Sequence, residues 1–170
     1  SLAPFGMRDI DLRAVVRFES DPDLVMDTNG TRRFSIFVRL HTGNAGPTGY
    51  SVTADLWKQQ LIINRWTGYS YDAISYGSYK TLVYVPFEWV RNRDYQLRVL
   101  FDGCRYEIYA DGARTLVVDE DGCDDTPGLI SLTHGGMCGT SVIVSALSAW
   151  PRAKYTLPTA APAAAPTAAP

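Results

Sequence analysis

Hydrophobic and polar residues alternate with a period of two along most of the chain, which is the pattern of half-buried β-strands. Between residues 12 and 18, for example, Leu, Ala, Val and Phe occupy every second position. Asp-Gly pairs at 102–103 and 111–112 separate neighbouring segments and are typical of two-residue hairpin turns. No window of about twelve residues carries a clean helical stripe. We predict about ten strands, at 12–18, 34–40, 50–57, 61–66, 81–89, 96–101, 104–110, 113–119, 130–132 and 140–150.

Ten strands that each have one apolar face must bury those faces against one another. The fold class predicted is therefore all-β, a sandwich of two antiparallel sheets packed face to face. The positions that should face its core are Phe34, Ile36, Val38, Tyr50, Val52, Ala54, Leu97 and Val99.

The composition changes abruptly near Tyr155. Residues 156–170 comprise seven Ala, four Pro, three Thr and one Leu, and the regular prolines forbid a continuous helix. We interpret residues 1–155 as one domain and residues 156–170 as an extended linker or stalk that joins it to another module of the same polypeptide.

Charge and hydropathy exclude two classes of partner. The formal net charge is −2, which does not favour sequence-independent binding to nucleic acid. No apolar run approaches the roughly 20 residues that a membrane-spanning helix needs.

The order of the strands from 34 to 132 resembles the concanavalin-A-like or laminin-G-like jelly roll. The segments that carry the resemblance read FSIFVRL, then GYSVTADLWKQQLIINRW, then YQLRVLFDGCRYEIYADGARTLVVDEDGCDDTPGLISL. They are similar to the carbohydrate-binding sandwiches at the C-terminus of family-32 glycosidases and to related binding modules. The resemblance implies a fold that serves lectins, enzymes, adhesins and sensor ectodomains alike.

The three cysteines are Cys104, Cys123 and Cys138, an odd number that leaves at least one thiol unpaired within the chain. A hairpin turning at 111–112 brings Cys104 close to the loop that holds Cys123, so we expect a Cys104–Cys123 disulfide. A Cys123–Cys138 bridge and three reduced thiols remain alternatives. The N-glycosylation acceptor at Asn29 and the Ala/Pro/Thr-rich tail favour an extracellular or cell-surface location.

The sequence lacks the carboxylate motif of jelly-roll glycosidases, which carry Glu-x-Asp-x-x-Glu on one strand. The only glutamates are Glu19, Glu88, Glu107 and Glu120, and no two of them share a strand at that spacing. We therefore favour a non-catalytic role. A jelly-roll glycosidase or polysaccharide lyase with an unfamiliar site stays open.

Two acidic clusters could supply oxygen ligands to a structural calcium ion. Asp119, Asp121 and Asp124 form the first candidate, in a loop that is otherwise interpreted as a solvated turn. The second cluster lies between Asp21 and Asn29. No other cofactor is expected.

The candidate ligand-binding residues combine aromatic rings with planar charged groups, which suits recognition of sugars. If their strands share one sheet, Arg39, Asp55, Trp57 and Arg98 project together from its outer face, with Trp66 on the rim. Tyr71 belongs to a tyrosine-rich loop at 67–79. The alternatives are an Arg39–Asp55 pair on a solvated face and tyrosines that cover the core.

We thus expect a non-catalytic carbohydrate-binding domain of a secreted or cell-surface multidomain protein, with a glycan as its partner. A structural or protein-binding ectodomain, such as a sensor or adhesion module, is the alternative.

Overall fold

The computed structural model describes residues 7–20, 33–43, 46–68, 78–135 and 140–151, and these form strands joined by turns and loops, with no helix among them. Ten strands follow one another along the chain. They are β1 (Ile10–Ser20), β2 (Arg33–Gly43), β3 (Gly46–Asp55), β4 (Gln60–Thr67), β5 (Tyr79–Pro86), β6 (Asp94–Asp102), β7 (Arg105–Ala110), β8 (Ala113–Asp119), β9 (Leu129–Gly135) and β10 (Thr140–Pro151). The predicted linker at 156–170 lies outside the described residues.

The strands form two antiparallel sheets of five strands each. The first sheet has the order β10-β1-β6-β7-β8, and the second has the order β5-β4-β3-β2-β9. The prediction of an all-β, two-sheet sandwich is therefore confirmed. The described residues contain no helix that could cross a membrane.

The core lies between the two sheets and follows the alternation of the sequence. Every residue predicted to face the core is buried, from Phe34 on β2 to Val99 on β6. Trp89 follows β5 in a loop and packs edge-on against Phe18 of the other sheet, with ring centroids 5.3 Å apart. Its indole Nε1 donates to the carbonyl of Gln60, so a loop residue closes one end of the core.

Arg39 breaks the alternation of β2, and this corrects the sequence-based prediction that it projects outward. Its φ of 51° is left-handed, and the pairing of β2 with β3 shifts between Val38 and His41. Such a bulge inserts an extra residue and re-aims the side chain. Arg39 consequently points into the end of the sandwich and is 1% exposed.

The end of β3 also differs from prediction. β3 ends at Asp55 rather than at Trp57, because residues 56–59 form the turn into β4. Asp55 ends the strand itself: its Oδ1 accepts hydrogen bonds from the backbone N–H groups of Trp57 and Lys58. An aspartate that accepts from the amides two and three residues ahead is a standard turn-forming group, so Trp57 lies in a turn rather than on the sheet.

A disulfide links Cys104 in the β6–β7 turn to Cys123 in the loop after β8, with Cα atoms 5.4 Å apart. It joins the pair of cysteines that the hairpin topology favours. Cys138 lies outside the described residues.

Two glycines pack against the backbone of the Arg39 bulge from opposite sides. A Cβ at Gly49 on β3, or at Gly128 just before β9, would collide with backbone atoms of Arg39. Backbone atoms cannot move aside as a flexible side chain can. The bulge therefore requires glycine at both positions.

We predict that Gly128→Ala lowers the free energy of unfolding by about 1–3 kcal/mol, the usual cost of overpacking a tight site. Gly43→Ala is the matched control, since a Cβ there meets nothing within 4 Å. Urea unfolding of both variants measures the effect. Equal stability of the two variants would show that the bulge relaxes freely.

Candidate functional site

The Arg39 guanidinium lies at one end of the sandwich and binds three backbone carbonyls. Nε donates to Arg8 at 2.7 Å, Nη2 to Gly103 at 2.7 Å and Nη1 to Asp124 at 3.3 Å. The Asp9 carboxylate lies 3.7 Å away. Because its donors are engaged by the protein, Arg39 has a structural role in this geometry and does not lie on a ligand-binding face.

Aromatic rings surround the same guanidinium. The rings of Tyr50, Phe101 and Tyr106 have centroids 5.5–6.0 Å from its Cζ. The hydroxyls of both tyrosines donate to Glu120 Oε2, at 3.0 and 3.1 Å. Burial raises the pKa of both tyrosines, so the phenols stay protonated and keep donating throughout the ordinary pH range.

The outer face of the second sheet carries small polar side chains that bond to one another. Ser35 and Thr53 lie 2.9 Å apart, and Thr81 donates to Asn64 at 2.9 Å. The indole Nε1 of Trp66 donates to Ser51 at 2.9 Å. Ser35, Ser51, Thr53 and Asn64 are all buried. These side chains therefore form their hydrogen bonds with one another within the sheet.

Of the predicted ligand-binding residues, Asp55 and Trp66 lie on this second sheet. Asp55 is 1% exposed, and its Oδ2 accepts from Arg33 Nε at 2.9 Å. Trp66 packs between the rings of Phe37 and Tyr79, with centroids 5.3 and 5.0 Å away. Both side chains are held by neighbours. Trp57, in the β3–β4 turn, is 48% exposed, and Tyr71 lies outside the described residues.

The acidic loop does not gather ligands for a metal ion. Asp119 pairs with Arg105 at 2.9 Å, while Asp124 Oδ1 accepts from the backbone N–H of Thr126. Across the described ranges, no group of three His, Cys, Asp or Glu side chains could hold a metal ion. The described structure therefore does not bring Asp119, Asp121 and Asp124 together as one set of ligands. The cluster between Asp21 and Asn29 lies outside the described residues.

The outer face of the first sheet presents a row of long side chains across four strands. Cross-strand pairing places Ser148 of β10, Arg13 of β1, Arg98 of β6 and Tyr109 of β7 side by side. The Cζ of Arg98 lies 5.8 Å from the Tyr109 ring centroid. In the same way, the Cζ of Arg13 lies 5.7 Å from the ring of Trp150, which is half exposed. Two arginine–aromatic pairs thus flank the centre of the face.

Two carboxylates beside this row are held in the ionised form. Arg98 donates to Asp11 through Nε at 2.9 Å and Nη2 at 2.6 Å, and this pair lowers the pKa of Asp11. The Tyr109 hydroxyl donates to Glu107 at 2.6 Å, and this bond, with that from Arg105, lowers the pKa of Glu107. Carboxyl groups with lowered pKa values are poor general acids near neutral pH. The arrangement suits binding better than proton transfer.

A groove of about 420 Å³ opens over the row of arginines. Ligand pockets in proteins span roughly 300–1,000 Å³ and combine apolar walls with a few placed polar groups. Its lining residues are Arg13, Ala14, Val15, Gln96, Leu97, Arg98, Tyr109, Gly112, Ala146 and Ser148.

The structure therefore separates the residues that the sequence grouped together. Arg98 lies on the first sheet, whereas Asp55 and Trp66 lie on the second, and Arg39 is buried between the sheets at one end. The sequence-based site omitted Arg13, Tyr109 and Trp150. The alternation of polar and apolar residues could have identified two of them, because Arg13 and Tyr109 occupy polar-side positions of their strands. The alternation does not show that β1 and β6 are neighbours.

Comparison with known proteins gives structural neighbours only. No protein-family model and no curated protein matches this chain. The exoplasmic/lumenal domain of VIP36, in a form bound to Ca²⁺ and Man3GlcNAc, superposes with a TM-score of 0.61 at 14% identity, covering 93% of this chain and 74% of that one. Sheep galectin-11, in complex with glycerol, gives 0.56 at 10% identity, covering 85% and 91%.

A third neighbour is the carbohydrate-binding module CBM66 from Bacillus subtilis, with a TM-score of 0.53 at 14% identity. The superposition covers 86% of this chain and 73% of the module. All three are jelly-roll β-sandwiches. The predicted jelly-roll fold is confirmed, and identities this low show the fold alone.

We predict that Arg39→Met lowers the free energy of unfolding by about 3–5 kcal/mol, because it leaves the Asp9 carboxylate and three backbone carbonyls without their shared donor. Arg17→Met is the control, since Arg17 makes an exposed pair with Asp94 and such pairs contribute about 0–1 kcal/mol. Chemical denaturation under non-reducing conditions gives both values. A loss no larger than that of the control would contradict the structural role of Arg39.

We also predict an acid-dependent contribution from the Asp11–Arg98 pair. Because the folded pKa of Asp11 is lowered, the pair stabilises the fold above the unfolded value near 4 and loses that effect as pH falls through the folded pKa. Asp11→Asn should therefore be less stable than the parent at pH 7, and the difference should shrink as the pH falls below about 4. Chemical denaturation of both proteins across this pH range tests this, and a difference that does not change with pH would contradict it.

Proposed function

We propose that this domain is a non-catalytic carbohydrate-binding domain and that the groove on the outer face of the first sheet is its binding site. The observation that carries the proposal is the presence, in and beside one open groove, of arginine donors, a partly buried tyrosine ring and a half-exposed indole. Arg13 and Arg98 line it, and Tyr109 and Trp150 flank them.

The chemistry of these groups matches that of a sugar ring. Sugars present apolar C–H faces that stack on aromatic rings, and hydroxyls that accept and donate hydrogen bonds. Trp150 supplies a half-exposed indole at the edge of the sheet. The Gln96 amide, the Ser148 hydroxyl and the arginines supply polar contacts along the groove. The mixture is that of a small-molecule site with few but oriented polar groups.

The structural neighbours support the same proposal by analogy of fold. One is described as a carbohydrate-binding module, and another was captured with Man3GlcNAc. Fold analogy raises the expectation of a glycan ligand, whereas the assignment of the groove depends on the side chains present here.

The proposal extends to location and context. We place the domain in a secreted or cell-surface protein, since a Cys104–Cys123 disulfide suits an oxidising compartment. Residues 156–170 would then separate it from another module, and a finer laminin-G-like relationship forms part of the same proposal.

We predict that Trp150→Ala weakens binding to a recognised glycan by about tenfold or more, because loss of an aromatic stacking platform removes roughly 1–2 kcal/mol. Trp57→Ala is the matched control: the two indoles are 50% and 48% exposed, but Trp57 lies in the β3–β4 turn. A glycan array identifies the ligand, and calorimetric titration of each variant gives the affinities.

The outcomes separate the sites. A loss confined to Trp150→Ala supports the groove, whereas a loss confined to Trp57→Ala supports the site predicted from the sequence. A folded parent that binds no glycan on a broad array would overturn the proposal in favour of a structural or protein-binding ectodomain.

A further inference from the structure

The two arginines in the groove are not equally paired with carboxylates, and Arg13 is the more weakly paired of the two. The groove lining contains Arg13 and Arg98 but no carboxylate. Arg98 is firmly paired, because its Nε and Nη2 both donate to Asp11. Arg13 contacts the same carboxylate only at 3.5 Å and is 56% exposed. Within the described residues, that contact is its one ion pair.

Among the described acids, Asp11 alone pairs with Arg13, through a single contact at Nη2. Both oxygens of Asp11 already accept from Arg98. Glu107 accepts from Tyr109 and from Arg105, and its side chain is 13% exposed. Across the sheet, Arg13 faces Ser148 and Arg98, neither of which bears a negative charge. Arg13 is therefore a cation of the groove with spare donors.

The position of Arg13 suits a planar anion carried by a stacked ring. Its Cζ lies 5.7 Å from the Trp150 ring centroid, so the guanidinium and the indole lie close together. Guanidinium groups bind carboxylates through two parallel hydrogen bonds, a geometry that a single charge on a lysine cannot match. A sugar stacked at Trp150 would hold an acidic substituent within reach of these donors.

We infer that the groove selects glycans that carry carboxylate groups, namely uronic-acid-containing chains, and that Arg13 receives the carboxylate. This inference rests on the proposed function, since it names the ligand class of the same groove. It assigns Arg13 as the specificity-determining residue, Trp150 as the stacking platform, and the Asp11–Arg98 pair as the support that keeps the floor of the groove in place.

The test compares each uronic-acid oligomer with its own carboxyl-reduced form. The full chain is titrated with oligogalacturonate, oligoglucuronate and oligomannuronate, and with the carboxyl-reduced form of each, which keeps the sugar ring and lacks the charge. We expect at least tenfold tighter binding of one uronate than of its reduced form, because a hydrogen bond between charged groups contributes about that much. The preference should weaken as salt is added.

Variants of the chain assign the effect. Arg13→Gln should lose the preference for the uronate over its reduced form, and Arg13→Lys should recover only part of that preference. Arg17→Gln is the matched control on the same strand and face, and it should keep the full preference. Thermal unfolding of each variant confirms that the fold is intact.

The possible results distinguish the inference from the proposed function. Equal binding of neutral and acidic forms, still abolished by Trp150→Ala, would retain the sugar site and overturn the carboxylate assignment. Tighter binding of sulfated glycans than of uronates would also overturn it, in favour of a sulfate site. Absence of binding to every glycan would overturn both. A preference that survives Arg13→Gln would exclude Arg13 as its source.

Discussion

The structure depends on one buried cation. Arg39 is the largest fully buried side chain of the described core, and its guanidinium binds carbonyls from three segments that are far apart in sequence. An unpaired buried charge would be costly, so the guanidinium can remain there only while all three segments stay in place. The bulge that aims Arg39 inward in turn needs Gly49 and Gly128 beside it. A local backbone feature therefore determines the closure of one end of the sandwich.

The same cation helps to determine the geometry of the outer groove. Gly103, whose carbonyl Arg39 binds, directly follows β6, and Arg8, which supplies a second carbonyl, lies two residues before β1. These two strands carry Arg98 and Arg13 next to each other. The Cys104–Cys123 disulfide joins the Gly103 and Asp124 regions covalently. The interior contact and the disulfide thus keep the strands that form the groove in register.

Much of the fold could be predicted from the sequence because a strand with one buried face leaves a period of two. The core positions from Phe34 to Val99 follow from that period alone. The period does not reveal a bulge, however, and one extra residue was enough to turn Arg39 from the outer face into the core. Strand adjacency could not be predicted either, because Arg13 of β1 and Arg98 of β6 pair across 85 residues of chain. The groove forms because β1 and β6 lie next to each other.

Arg39 and Arg13 show how the surroundings of an arginine decide whether it stabilises the fold or remains available to bind a ligand. Arg39 lies where water is excluded, and every donor that it offers is directed to the protein. Arg13 lies on the opposite side of the core, on a face that water reaches, beside a carboxylate that another arginine already satisfies. A group that holds the fold together cannot change partners without disrupting it, whereas a weakly paired surface cation can. Because the interior guanidinium and the disulfide maintain the frame, the outer row of Arg13, Arg98 and Tyr109 is free to be shaped by a ligand.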